Sequence, residues 1–163
     1  MRGEGWLLDA YIEDSNAVVW IKTEEGKVLK AVEPYRPDFY AEPKETSAEE
    51  LSRLLGQHEN IVRVEVERRY KTLDRREEVE VVHVYIDRTG NFKSVLSDVE
   101  RLRFVDETYN TDLLHIQRYL FRKGVAPMEK VRYREDESGS INLEPVDDGL
   151  DIHPPPFTKT IFK

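Results

Sequence analysis

The chain has 163 residues, a formal net charge of −8 and no cysteine. That length suits one ordinary domain or two small subdomains sharing a core. The missing cysteines exclude disulfide staples and thiolate zinc sites and point to a reducing, cytoplasmic setting, while the negative charge argues against a free-standing nucleic-acid binder, whose affinity would come largely from neutralising phosphates. The apolar run near the N-terminus is too short for a signal peptide or a membrane span, so no membrane partner is expected.

The predicted elements open with three short strands, Trp6 to Glu13, Ala17 to Thr23 and Lys27 to Glu33. Asp14-Ser15-Asn16 and Glu24-Glu25-Gly26 are turn sequences between them, the second with a glycine to supply positive φ. This reads as an antiparallel β-meander, broken by Pro34 and Pro37. A strand at Asp38 to Ala41 follows, then a helix begun by Ser47 with Glu50 at capping-box spacing and Leu51, Leu54 and Leu55 as its apolar stripe.

Asn60 to Arg69 alternates, with Val62, Val64 and Val66 on one side and Arg63, Glu65 and Glu67 on the other. Glu78 to Ile86 is the returning strand, and its Val81-Val82 pair predicts either a bulge or burial on both faces. A second helix follows Gly90-Asn91, with Phe92, Val95, Leu96, Val99 and Leu102 as the stripe that faces the sheet, and then a strand from Phe104 to Glu107. A third helix is predicted from Thr111 as N-cap to Lys123, stopped by Gly124 and Pro127.

The fold class is therefore α+β: an N-terminal antiparallel β-meander (1–37), a ferredoxin-like, RNA-recognition-like β-α-β-β-α-β unit (38–110), and a bridging helix with a strand (111–134). Residues 135–163 are expected to be a linker, stiffened by Pro154-Pro155-Pro156, and a lead-in strand.

Catalytic motifs do not emerge. The histidines His58, His83, His115 and His153 show no metal-ligand spacing, and neither a Gly-rich phosphate loop nor a nucleophile elbow occurs. Asp147, Asp148 and Asp151 lie in a Pro- and Gly-flanked loop and read as solvated charge. No catalytic residue, metal or cofactor is expected in this chain itself.

Two basic groups stand out. Arg68, Arg69, Lys71, Arg75 and Arg76 crowd one hairpin, which reads as a solvated tip offset by Glu67, Glu77 and Glu78. Arg118, Arg122 and Lys123 crowd the third helix as candidate phosphate contacts. There Tyr119 and Phe121 interleave with the cations, a combination that suits a nucleobase.

The run Arg118-Tyr119-Leu120-Phe121-Arg122-Lys123-Gly124-Val125-Ala126-Pro127-Met128-Glu129 resembles the N-terminal domain of archaeal family B DNA polymerases. Leu8 to Ile12, Arg36 to Ala41 and Pro155-Pro156-Phe157 agree with the same family, in the same order. The resemblance implies a piece ending just before a 3′–5′ exonuclease domain, within a parent DNA-directed DNA polymerase that uses magnesium. The implied partners are a single-stranded DNA template and the exonuclease and polymerase domains of the same parent chain.

It further implies a pocket for deaminated template bases, uracil above all, formed by Tyr11, Pro37, Asp38, Phe92, Leu113, His115 and Arg118. In that pocket Leu113 would supply a wall and Arg118 the cation for a phosphate. Asp38 stands where the family has an aromatic residue, Phe92 where it has a small aliphatic one, and His115 where it has an aromatic or apolar one. Uracil-containing strands are accordingly expected to bind only slightly better than thymine-containing ones. Leu113 and Phe92 fit equally well as core residues of their helices. A different class of function, a stand-alone ferredoxin-like regulatory or subunit-interaction module, is compatible with the same elements.

Overall fold

The computed structural model describes residues 1–70, 77–147 and 155–156. In chain order the elements are β1 (Arg2–Glu13), β2 (Asn16–Thr23), β3 (Val28–Pro34), β4 (Asp38–Pro43), α1 (Ala48–Leu55), β5 (Ile61–Tyr70) and β6 (Glu78–Ile86). They continue with α2 (Phe92–Glu100), β7 (Val105–Tyr109), α3 (His115–Lys123), β8 (Lys130–Glu135) and β9 (Ile141–Pro145). The fold is α+β, as the sequence predicts. It divides into two compact units, one of residues 1–35 and 114–163, the other of residues 36–113.

The first unit is a five-stranded sheet of order β3-β2-β1-β8-β9. All its pairings are antiparallel. β1 and β2 are joined by Asp14 and Ser15, both at positive φ (47° and 65°). Their pairing closes at Glu13 with Asn16, so the loop has two residues, the hairpin geometry whose twist matches the strands. Leu7, Val19, Ile21 and Val131 are fully buried against Tyr119 and Leu120 of α3. The meander is thus three strands of a larger sheet. Residues 141–145, expected as linker, are β9 instead: Ile141 and Leu143 alternate inward and bury against this core. Only the preceding turn is polar, with the Asp136 carboxylate accepting from the Ser138 and Ser140 amides.

The second unit is a four-stranded antiparallel sheet of order β5-β6-β4-β7, with α1 and α2 on one face. This is the β-α-β-β-α-β order expected. Ser47 caps α1 by accepting from the Glu50 amide at 3.2 Å, while the Glu50 side chain accepts from Thr46 rather than closing the box on Ser47. Phe92, Val95 and Val99 of α2 are buried against Phe39, Val82 and Val84. Deleting a fully buried side chain here, as in Leu51→Ala, costs about 2–5 kcal/mol. Of the alternatives at Val81-Val82, burial on both faces holds: residues 81–84 are all buried, and the β5–β6 register shifts only at Ile61 to Arg63.

One expected boundary shifts. The third helix begins at His115, not at Thr111. Leu114 is extended (ψ 140°), and its amide donates to the Gln117 side chain, so a glutamine rather than a threonine closes the first turn. Along β5, Val62 and Val66 are 47% and 38% exposed while Glu65 and Glu67 are half-buried. β5 is an edge strand: Val64 packs against the core on one face and Glu67 pairs with His83 on the other, so the expected sides hold and Val62 and Val66 are exposed at the edge.

Candidate functional site

In the second unit, the sheet face turned away from α1 and α2 carries most of the polar chemistry. β4 and β6 are the central strands, and their register sets Asp38 opposite Tyr85 and Tyr40 opposite His83. The imidazole of His83 is held at both nitrogens: Nε2 lies 2.5 Å from Asp38 Oδ2, and Nδ1 lies 2.8 Å from Glu67 Oε1 on β5. Each ring nitrogen thus faces a carboxylate. The ring is also sandwiched, 4.2 Å from Tyr40 and 4.3 Å from Tyr85 between centroids. Arg69 covers Tyr40 and Arg63 covers Tyr85, giving a layered row of Arg63, Tyr85, His83, Tyr40 and Arg69.

The carboxylates in this row are shared. Glu67 takes His83 on one oxygen and Arg69 on the other, and Glu65 pairs with Arg63. Burial pushes the Glu67 carboxyl up, but hydrogen bonds from His83 and Arg69 outweigh it and hold the group below its ordinary value. Glu65, Glu67 and His83 each place a ligand atom within 4.8 Å of the others. Sequence spacing could not reveal this group, because its members meet only across the β5–β6 ladder.

Next to this row, Tyr40, Arg69, Tyr70, Val79, Val81, Tyr109 and Asn110 line a cleft of about 260 Å³. Tyr109 sits directly across from Tyr40, and its hydroxyl donates to Glu42 and Glu107. Burial, then those two acceptors, push the Tyr109 phenol far above its usual value. Along β6, Val79, Val81, His83 and Tyr85 alternate and share this face of the sheet.

In the first unit, Glu33 is a buried carboxylate on β3. It accepts from the Tyr119 hydroxyl at 2.5 Å and from Lys123 Nζ at 2.7 Å. Tyr119, read from the sequence as interleaved with cations for a base, is therefore a core residue of the helix. Lys123 is engaged with Glu33 and with the Ile141 carbonyl. Phe121 and Arg122 are neighbouring exposed residues on α3, and Arg122 lies 5.4 Å over the Tyr35 ring.

The residues implied for a base pocket divide between the units. Tyr11, His115 and Arg118 belong to the first; Pro37, Asp38, Phe92 and Leu113 belong to the second. Tyr11 accepts from the Trp20 indole at 3.4 Å, His115 leans on Tyr35, and Arg118 is buried on α3. Within the second unit Asp38 and Phe92 are not brought together. Asp38 faces His83 on one side of the sheet, while Phe92 packs edge-on against Phe39 on the other. The Pro37 carbonyl accepts from the Ile86 amide, and Leu113 is 36% exposed just before α3. Lys71, Arg75, Arg76, Asp148, Asp151 and the Phe157 to Lys163 lead-in lie outside the described residues, and among those described no helix is long and apolar enough to cross a membrane.

No protein-family model matches the chain, and no curated protein matches it by sequence. Among solved structures it is similar to the family B DNA polymerase from the hyperthermophilic archaeon Pyrobaculum calidifontis. The TM-score is 0.67 and the identity 25%, over 83% of this chain and 18% of that one. The chain thus spans less than a fifth of the polymerase it resembles.

Proposed function

We propose that this chain is the N-terminal, template-contacting domain of a DNA-directed DNA polymerase of the family B type, without a catalytic role of its own. The observation that carries the reading is the structural likeness to the Pyrobaculum calidifontis enzyme across 83% of the chain. The third-helix run beginning at Arg118 supports it independently. On that helix an exposed phenylalanine and arginine, Phe121 and Arg122, stand side by side, suited to a single strand's bases and phosphates. Magnesium and the catalytic carboxylates belong to the rest of the parent chain. Within this domain the exposed phosphate-directed group is Arg122, Arg118 on the same helix being buried, and Leu113 precedes that helix. Sensing of deaminated bases would rest on Tyr11, Pro37, Asp38, Phe92, Leu113, His115 and Arg118. It is expected to be weak, because Asp38 and Phe92 are engaged elsewhere in their own unit.

The test is fluorescence anisotropy with matched single strands containing uracil or thymine. Binding that weakens steeply with salt, and that Arg122→Ala reduces equally for both strands, supports template contact through phosphates. No binding to either strand at low salt would sink the reading and favour a subunit-interaction module instead.

A further inference from the structure

The cleft on the second unit's sheet does not belong to the α3 site. We propose that it binds one unpaired nucleobase of a single strand, as a contact separate from the phosphate-directed face of α3 and beyond the function proposed above. Its size is the first argument: the cleft holds about 260 Å³, near the small end for ligand sites and enough for a base.

Its lining is the second argument. Tyr70 and Tyr109 offer ring walls, Tyr40, stacked between His83 and Arg69, lines the cleft beside them, Val79 and the buried Val81 add an apolar surface, and Arg69 and Asn110 polar groups at the edge. Aromatic rings and guanidinium planes are the groups on which unpaired bases stack. The Arg69 guanidinium already lies 5.3 Å over the Tyr40 ring, so this surface favours flat, delocalised partners. The architecture agrees. Tyr40 lies on one of the two central strands of a four-stranded sheet whose other face is covered by two helices, the arrangement in which such sheets stack bases.

Charge decides between ligands. Glu42 and Glu107 hold the Tyr109 hydroxyl, and Glu67 holds Arg69. These carboxylates disfavour a phosphate inside the cleft, so the group recognised is the ring. A cationic ligand is the other chemistry three tyrosines could take, but the Arg69 charge in the lining opposes it. The site therefore has a signature unlike that of α3: affinity that depends on the base and changes little with salt.

The experiment uses the full chain and three probes of equal length: an oligothymidylate, its abasic counterpart and an oligouridylate. Tyr70→Ala alters an exposed residue, and Tyr109→Leu is checked by circular dichroism for folding. Each variant should weaken base-containing strands about fivefold or more, by loss of stacking, with the loss retained at high salt. Neither should change binding of the abasic strand. DNA and RNA probes should respond alike, because the ring is common to both, whereas a cleft reading the sugar would separate them. Thymidine added alone should shift the NMR signals of Tyr40, Tyr70, Val79, Val81 and Tyr109. If Tyr70→Ala and Tyr109→Leu leave strand binding unchanged while Arg122→Ala weakens it, the cleft proposal fails and the template-contact reading stands. Tetramethylammonium shifting those signals where thymidine does not would overturn it in favour of a cation site. If thymidine shifts the cleft signals while no strand responds to Arg122→Ala, the cleft stands and the template-contact reading fails.

Discussion

Asp38 Oδ2 and His83 Nε2 lie 2.5 Å apart, 45 residues distant in the chain and both buried. The contact joins the two central strands on the face opposite the helices, and Glu67 completes it from the edge strand. Removing Asp38 takes the partner from His83 Nε2, while Glu67 still holds Nδ1. Asp38→Ala should therefore cost about 1–3 kcal/mol of unfolding free energy in urea titrations. A cost below about 1 kcal/mol would mean that Asp38 is not held by His83 as described.

The same network sets an acid response. The Glu67 carboxyl is held below its ordinary value of 4.5, so the stability it contributes is complete above that value and is lost as pH falls through the lower, folded one. Urea midpoints measured from neutral pH downward should fall more steeply for the unaltered protein than for Glu67→Gln. Parallel curves would show that Glu67 is not linked to folding.

Glu33 gives an alkaline counterpart in the other unit. Burial first, and the Glu33 acceptor second, push the Tyr119 phenol far above its usual 10.0. Its contribution is complete below that ordinary value and is lost as pH rises beyond it. Tyr119→Phe should cost about 1.5–3 kcal/mol at neutral pH, the loss of a buried hydrogen bond to a charged acceptor. It should also flatten the fall in stability above pH 10.0, read by thermal melts in alkaline buffers.

Gly5 tests the packing of the larger sheet. It pairs with Thr23 on one side and Val131 on the other. A Cβ there would press into the backbone carbonyl of Lys22 and come within 2.9 Å of the Ile21 side chain. Because backbone cannot yield as a flexible side chain does, Gly5→Ala should lower stability by about 1–3 kcal/mol. A neutral substitution would show that β1 and β2 separate more easily than their register implies.

Phe92 separates two roles at one position. The resemblance places it in a base pocket, and the structure packs it on Phe39 in the core of its unit. Phe92→Ala should cost about 3–5 kcal/mol by the cavity it leaves. A stable variant with altered uracil preference would assign it to the pocket instead.

By itself the sequence determined what is local. Alternation, stripes of apolar residues and turn chemistry were enough for the three-stranded meander, the β-α-β-β-α-β order, the Ser47 cap and the Gly124 stop, because each depends on residues a few positions apart. Distances of that range also limited it. Thr111 looked like an N-cap because its side chain can cap, yet the helix waits for His115, where Gln117 supplies the partner. Residues 141–145 looked like linker until β8 provided a strand to pair with.

The partners of charged groups were decided only by tertiary structure. Tyr119 and Lys123 on the third helix read as ligands for DNA, but the fold brings Glu33 to them from 86 residues away and Tyr119 becomes core. Asp38 read only as a departure from the family's aromatic residue until the β4–β6 register set His83 beside it. The tyrosine cleft had no linear signature at all, since its walls come from four strands. Strand registry fixes which side chains share a face, and a register depends on every pair along the ladder at once, so no single stretch of sequence encodes it.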